Sequence, residues 1–126
     1  MIKIIVSEDC GNSPKNNLIQ IFTIAIAKRD VKFILQTTTE SIRWNIVGSR
    51  EIEGKENIAE FLNGSKNNQV SVLDIHHIAS HGKAGALDGT QKMKNGQMFA
   101  FCDVYEFGNT KGTSISEITS FVIPIE

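Results

Sequence analysis

The chain has 126 residues, with 13 lysines and arginines against 14 aspartates and glutamates, a formal net charge of −1. That length suits one domain burying roughly two thirds of its unfolded surface around a single core, and so balanced a charge leaves no electrostatic footprint for nucleic acid or an anionic membrane. The two cysteines, Cys10 and Cys102, have no metal or redox spacing and are expected to be free thiols, each a small buried hydrophobe.

The opening MIKIIVSEDC holds an apolar run broken by Lys3 and stopped by Glu8 and Asp9, unlike the core of a secretory leader. No apolar stretch approaches the roughly 20 residues that span a bilayer. A soluble, cytoplasmic protein with no membrane partner is therefore expected. Ser13-Pro14 starts a helix, the hydroxyl capping free amides and the fixed φ of proline suiting the first turn. The helix is predicted to run to about Lys28. Leu18, Phe22 and Ala25 fall at helical spacing, and Ile19, Ile21, Ile24 and Ile26 widen the stripe, as in a central helix enclosed by other elements. Asp30 can cap a short second helix with Val31, Ile34 and Leu35 on one face, before Thr37-Thr38-Thr39 favours extended chain.

SIRWNIVG, residues 41–48, reads as a strand. GKENIAEFLNG, residues 54–64, reads as a third helix presenting Ile58, Phe61 and Leu62, with Gly64 expected to close it in the left-handed conformation. Gly48 and Gly54 bracket a turn, and no glycine-rich run ends in Lys-Ser or Lys-Thr, so no nucleotide is implied. Four β-rich runs follow, near 69–79, 83–93, 97–107 and 114–123, separated by His81-Gly82, Asn95-Gly96 and the loop 108–112. Asn-Gly tolerates the positive φ of a tight hairpin, and the four runs predict an antiparallel meander. Strands of this length in a small sheet twist and coil, and the helices carry the other large apolar surface, so they must cover the concave face.

The third of these runs, FAFCDVYEF, alternates so that Phe99, Phe101, Asp103, Tyr105 and Phe107 share one side, with Ala100, Cys102, Val104 and Glu106 opposite. With the aromatic side inward, burial disfavours the charged form of Asp103 and raises its pKa. It then serves as a hydrogen-bond donor or general acid near neutrality; the alternative is a structural aspartate bound to a neighbouring amide or to Tyr105. The pocket expected around it is walled by Phe22, Trp44, Phe99, Phe101, Tyr105 and Phe121, and suits a small apolar or semi-polar molecule. Trp44 and Asn45 are adjacent on a strand and face opposite ways; Asn45, if inward, orients substrate or water. His76 and His77 likewise face opposite ways and cannot chelate one ion, and His81 lies in a turn, so no metal site is expected. All three read as solvated histidines on an edge strand, although His76, in phase with Asp74, is a candidate acid/base partner for Asp103. Asp88 reads as solvent-facing. The apolar strip Ala100, Cys102 and Val104 on the opposite side marks an interface.

Helix, short helix, strand, helix and four curved strands is the order found in the nuclear transport factor 2-like superfamily, which includes SnoaL-like polyketide cyclases, steroid isomerases, scytalone dehydratases and limonene epoxide hydrolases. Asp30 after the first helix, Trp44 four residues before Gly48, the glycine-led GKENIAEFL and DVYEF at 103–107 agree with it, and over about 13–123 the chain resembles a SnoaL-like domain. The resemblance implies a single α+β domain over 1–126 with a cystatin-like fold, a curved antiparallel sheet wrapped around helices as a cone-shaped barrel. It implies a homodimer through the convex sheet face and chemistry that needs no metal or organic cofactor. In members resembling steroid isomerases, a tyrosine, a carboxylate base and a protonated carboxyl take the positions of Phe22, Asn45 and Asp103. An amide such as Asn45 cannot take a proton from carbon, which argues against that reaction. The acid/base aspartate of SnoaL-like cyclases carries over to Asp103. Two functions are therefore implied: a small-molecule enzyme of isomerase, cyclase, dehydratase or hydrolase type using Asp103, or a non-catalytic ligand-binding or dimerisation module whose cone is filled by its own side chains.

Overall fold

A computed structural model describes residues 2–7, 13–64 and 69–125. Cys10 and the first acidic pair lie outside the described residues. The elements run β1 (Lys3–Val6), α1 (Pro14–Lys28), α2 (Val31–Gln36), β2 (Thr38–Ile46), β3 (Arg50–Glu53), α3 (Lys55–Gly64), β4 (Val70–His81), β5 (Ala84–Met93), β6 (Met98–Phe107) and β7 (Ile115–Ile125). They form one seven-stranded sheet in the order β1-β4-β5-β6-β7-β2-β3. The four long strands make the antiparallel meander that the turn signals predict. Parallel pairs flank it, β1 on β4 and β2 on β7.

Local chemistry sets the helices. Ser13 accepts a hydrogen bond from the Asn16 amide at 3.1 Å and Pro14 fills the first turn. Asp30 caps α2 by accepting from the Phe33 amide at 3.2 Å. α1 lies across β4 and β5 while α3 lies against β2 and β3, so the helices cover the concave face. α1 is less enclosed than its composition predicts: Ile19, Phe22, Thr23, Ala25 and Ala27 are buried, whereas Ile21 is 38% exposed. The close seat of α1 on the sheet explains Gly85, where an added Cβ would collide with the Ile19 side chain.

Three features depart from the sequence reading. Gly64 ends α3 without a positive φ; the left-handed helix end falls instead on Arg29, at φ 60° and ψ 39° after α1. β3 is an added strand whose one buried residue, Ile52, sits among charges, with Arg43 of β2 paired to Glu51 and Glu53 on the exposed side. A β-bulge between Ile75 and His77 breaks the alternation of β4 and brings both histidine rings to the outer face, 6.4 Å apart. The same region explains Gly89, where a Cβ would strike the carbonyl oxygen of Asp74.

Candidate active site

The alternation of β6 holds: Phe101, Asp103, Tyr105 and Phe107 are buried, while Val104 and Glu106 are exposed. Asp103 is therefore inward, 9% exposed, opposite Leu87 of β5 and Ser120 of β7 in the sheet register. It opens on a cavity of about 150 Å³ between α1, α3 and the sheet. Trp44, Phe61 and Phe101 supply the aromatic wall and Val70, Leu73 and Met93 the aliphatic one. The polar groups are few: Asp103, Ser120, Thr23, Gln91 and Arg29. Val122, 42% exposed, lies at the rim.

Burial pushes the Asp103 carboxyl up from an ordinary 3.8 to about 6, and the hydroxyls of Ser120 and Tyr105 beside it hold it from rising further. Burial, then the charge of Asp103, pushes the Tyr105 phenol well above its ordinary range. The Trp44 indole nitrogen donates to Ser120 Oγ at 2.9 Å. An indole N–H only donates, so Ser120 accepts there and keeps its own proton for another acceptor, the Asp103 carboxyl being the neighbour that can take it.

On the other side, Thr23 Oγ1 donates to the Ile19 carbonyl at 2.8 Å and stands 2.7 Å from the Tyr105 hydroxyl. Each hydroxyl has one proton. With Thr23 donating to Ile19, Tyr105 donates to Thr23 and can only accept from Asp103, which must then be protonated. With Asp103 ionised, Tyr105 turns its proton to the carboxylate and Thr23 turns to Tyr105. Rotating two hydroxyls thus accommodates either charge state without moving a heavy atom.

The expected pocket residues separate. Trp44 and Phe101 line the cavity with Asp103. Phe22 and Tyr105 do not: they pack edge-to-face at 5.8 Å in the core below it. Phe99 is half-buried in the inward phase, opposite Gln91 and Pro124, but is not part of the cavity lining. Phe121 is a correction. Ser120 occupies the inward position, so strand alternation turns Phe121 outward, 44% exposed opposite Cys102. Asn45 is a second correction, because Trp44 takes the inward side and leaves Asn45 exposed beside Glu51 and Thr119. His76 is a third: it lies 3.7 Å from Asp74 on the outer face, with the sheet between it and Asp103. Asp88 is also outside, bonded to His77 Nδ1 at 2.9 Å. Among the described residues β1 pairs with β4 over Val72–Ile75, and the histidines come just after that stretch. Among the described residues no three metal-ligating side chains cluster.

Ser120, Thr23 and Arg29 escape the sequence reading. A serine in phase with Ile118 and Val122 was the available signal for Ser120, and a threonine adjoining Phe22 for Thr23.

No family model matches the sequence, and no curated protein is detectably similar to it in sequence. Solved structures are similar in fold. An NTF2-like protein of unknown function from Cytophaga hutchinsonii superposes with a TM-score of 0.66 at 21% identity, covering 85% of this chain and 97% of that one. An LEH-like epoxide hydrolase from M. tuberculosis gives 0.71 at 19% identity, covering 84% and 80%. A SnoaL-like polyketide cyclase assignment from Shewanella denitrificans gives 0.73 at 13% identity, covering 87% and 91%. This chain has the NTF2-like α+β fold; among the described residues it is a curled sheet that does not close, with three helices. Among the described residues no helix is long and apolar enough to cross a membrane.

Proposed function

We propose that this chain is a cytoplasmic SnoaL-like protein that binds a small cyclic, largely apolar molecule bearing an oxygen, and that Asp103 exchanges a proton with that molecule. The observation that carries the reading is a carboxyl enclosed in an aromatic-walled cavity and raised to about 6. Below that pH it donates to a ligand oxygen; above it the carboxylate accepts a proton. A group poised near the working pH can do both in turn.

Among the described residues Asp103 is the one carboxylic acid in the cavity lining, and no histidine is there. Chemistry that needs a separate acid and base at once is disfavoured. The arrangement favours steps in which one group removes and returns a proton, as in isomerisation or a cyclisation templated by the cavity. Its volume matches that of cavities known to hold a benzene-sized ring.

The test is binding of 2-cyclohexen-1-one, whose carbonyl oxygen can accept from a neutral carboxyl. Affinity is expected to fall about tenfold per pH unit above pH 6, as the donating form becomes scarce, and to be flat in Asp103→Asn. Wild-type affinity independent of pH from 5 to 8 would remove Asp103 from the site.

A second reading, a binding or dimerisation module without catalysis, is favoured by Phe22 and Tyr105, which fill the floor of the cone. Both readings include a homodimer. Val104, Phe121, Ile123 and Ile125 are exposed together on the outer face of β6 and β7, an apolar patch of the kind that interfaces cover. Sedimentation at micromolar concentration is expected to give a dimer, and Ile123→Lys a monomer; a monomeric wild type overturns that part.

A further inference from the structure

We infer that Arg29 is an anion seat in the same cavity, so that the ligand is a small cyclic carboxylate held by its acid group at Arg29 while its ring lies against Trp44 and Phe101. The inference rests on the proposed ligand-binding role of the cavity and names the class of molecule it takes.

Arg29 carries three costs. It ends α1 at φ 60°, a conformation ordinarily left to glycine or asparagine. Its Nε is buried and makes no hydrogen bond. Its guanidinium loses solvation through burial, which lowers its pKa. Helix geometry explains why the side chain stays there: Nη1 donates to the Ile26 carbonyl at 2.6 Å, curling the guanidinium back over the negative end of α1 instead of toward solvent.

No carboxylate within ion-pair distance meets it among the described residues, in contrast to Arg43, which pairs with Glu51 and Glu53. Nor is Arg29 among the groups that act on Asp103, whose carboxyl would be pulled down by a guanidinium alongside. Both side chains nevertheless line the same cavity. The lining therefore has a cation without a counter-ion at one place, an acid at another, and aromatic rings in the wall. Costs of this kind persist where a ligand or a mechanism uses them. A carboxylate is planar and matches a guanidinium fork.

The test compares phenylacetate with phenylacetamide, which share a ring and differ in charge, by calorimetry at pH 7. Wild type is expected to bind phenylacetate at least about tenfold more tightly. Arg29→Met should bring the ratio within about twofold, mainly through a loss of phenylacetate affinity. Arg29→Gly should do the same and also fold at least as stably, since glycine suits the positive φ; it keeps the test decisive if Arg29→Met folds poorly. Equal binding of the two probes to wild type, or a carboxylate preference surviving in Arg29→Gly, overturns the anion seat and leaves the cavity reading standing. Failure of both probes together with 2-cyclohexen-1-one overturns both.

Discussion

Phe22→Ala is expected to lower stability by about 3 to 5 kcal/mol, the range for emptying a fully enclosed aromatic position. Phe22 has no exposed surface, and its ring meets Tyr105 edge-to-face, 5.8 Å between centroids. About 1 kcal/mol of the loss belongs to that ring pair, the rest to burial and to the void left behind. Total stability for a domain is about 5 to 15 kcal/mol, so the variant stands close to the limit of folding. Urea denaturation measures this directly: the midpoint should fall with an unchanged slope. A loss under about 1 kcal/mol would mean that the floor of the cone is loosely packed, and the filled-cone reading would lose its support.

Asp103→Asn is expected to be more stable than wild type at pH 8 by about 3 kcal/mol, with the difference vanishing toward pH 4. The sign follows from the proton balance. The folded carboxyl titrates near 6 and the unfolded one near 3.8, so between these values the folded state binds the extra proton and its stability falls as pH rises. The wild-type contribution is complete below the unfolded value and lost above the folded one. Asparagine is nearly isosteric and stays neutral; its carbonyl oxygen can accept from Ser120 and its N–H can donate to Tyr105, as the protonated carboxyl does. Thermal melts of both proteins at pH 4, 6 and 8 give the comparison. Parallel curves at all three values would show that the carboxyl is well solvated when folded. A stabilising loss of the acid is the usual mark of a group kept at a cost to the fold.

Much of this molecule can be read in its residues, and the parts that cannot have physical reasons. Ser13-Pro14 and Asp30 announce the helix starts because capping is local chemistry, and Asn95-Gly96 announces the hairpin because positive φ is a local demand. Asp103 is legible because period-two alternation is unbroken through β6. The same rule misplaces Phe121, since an aromatic residue suggests the inward side while the register against Asp103 puts Ser120 there. The His76–His77 pair is misread for another reason: a bulge cancels alternation and leaves no mark in composition. β1 and β3 are four residues each, and their partners are fixed by tertiary pairing, not by propensity. Arg29 looks like any basic residue closing a helix. Its left-handed φ and its buried Nε leave no mark in the sequence around it.

The most direct measurement is the pH titration of the Asp103 carboxyl carbon by NMR in the folded protein. A midpoint near 6, moving when 2-cyclohexen-1-one is added, is the predicted result. A midpoint close to that of a solvated aspartate, about 3.9, would contradict it, because a carboxyl that ionises so readily is not enclosed in an aromatic cavity and cannot hold a proton for a ligand near neutral pH.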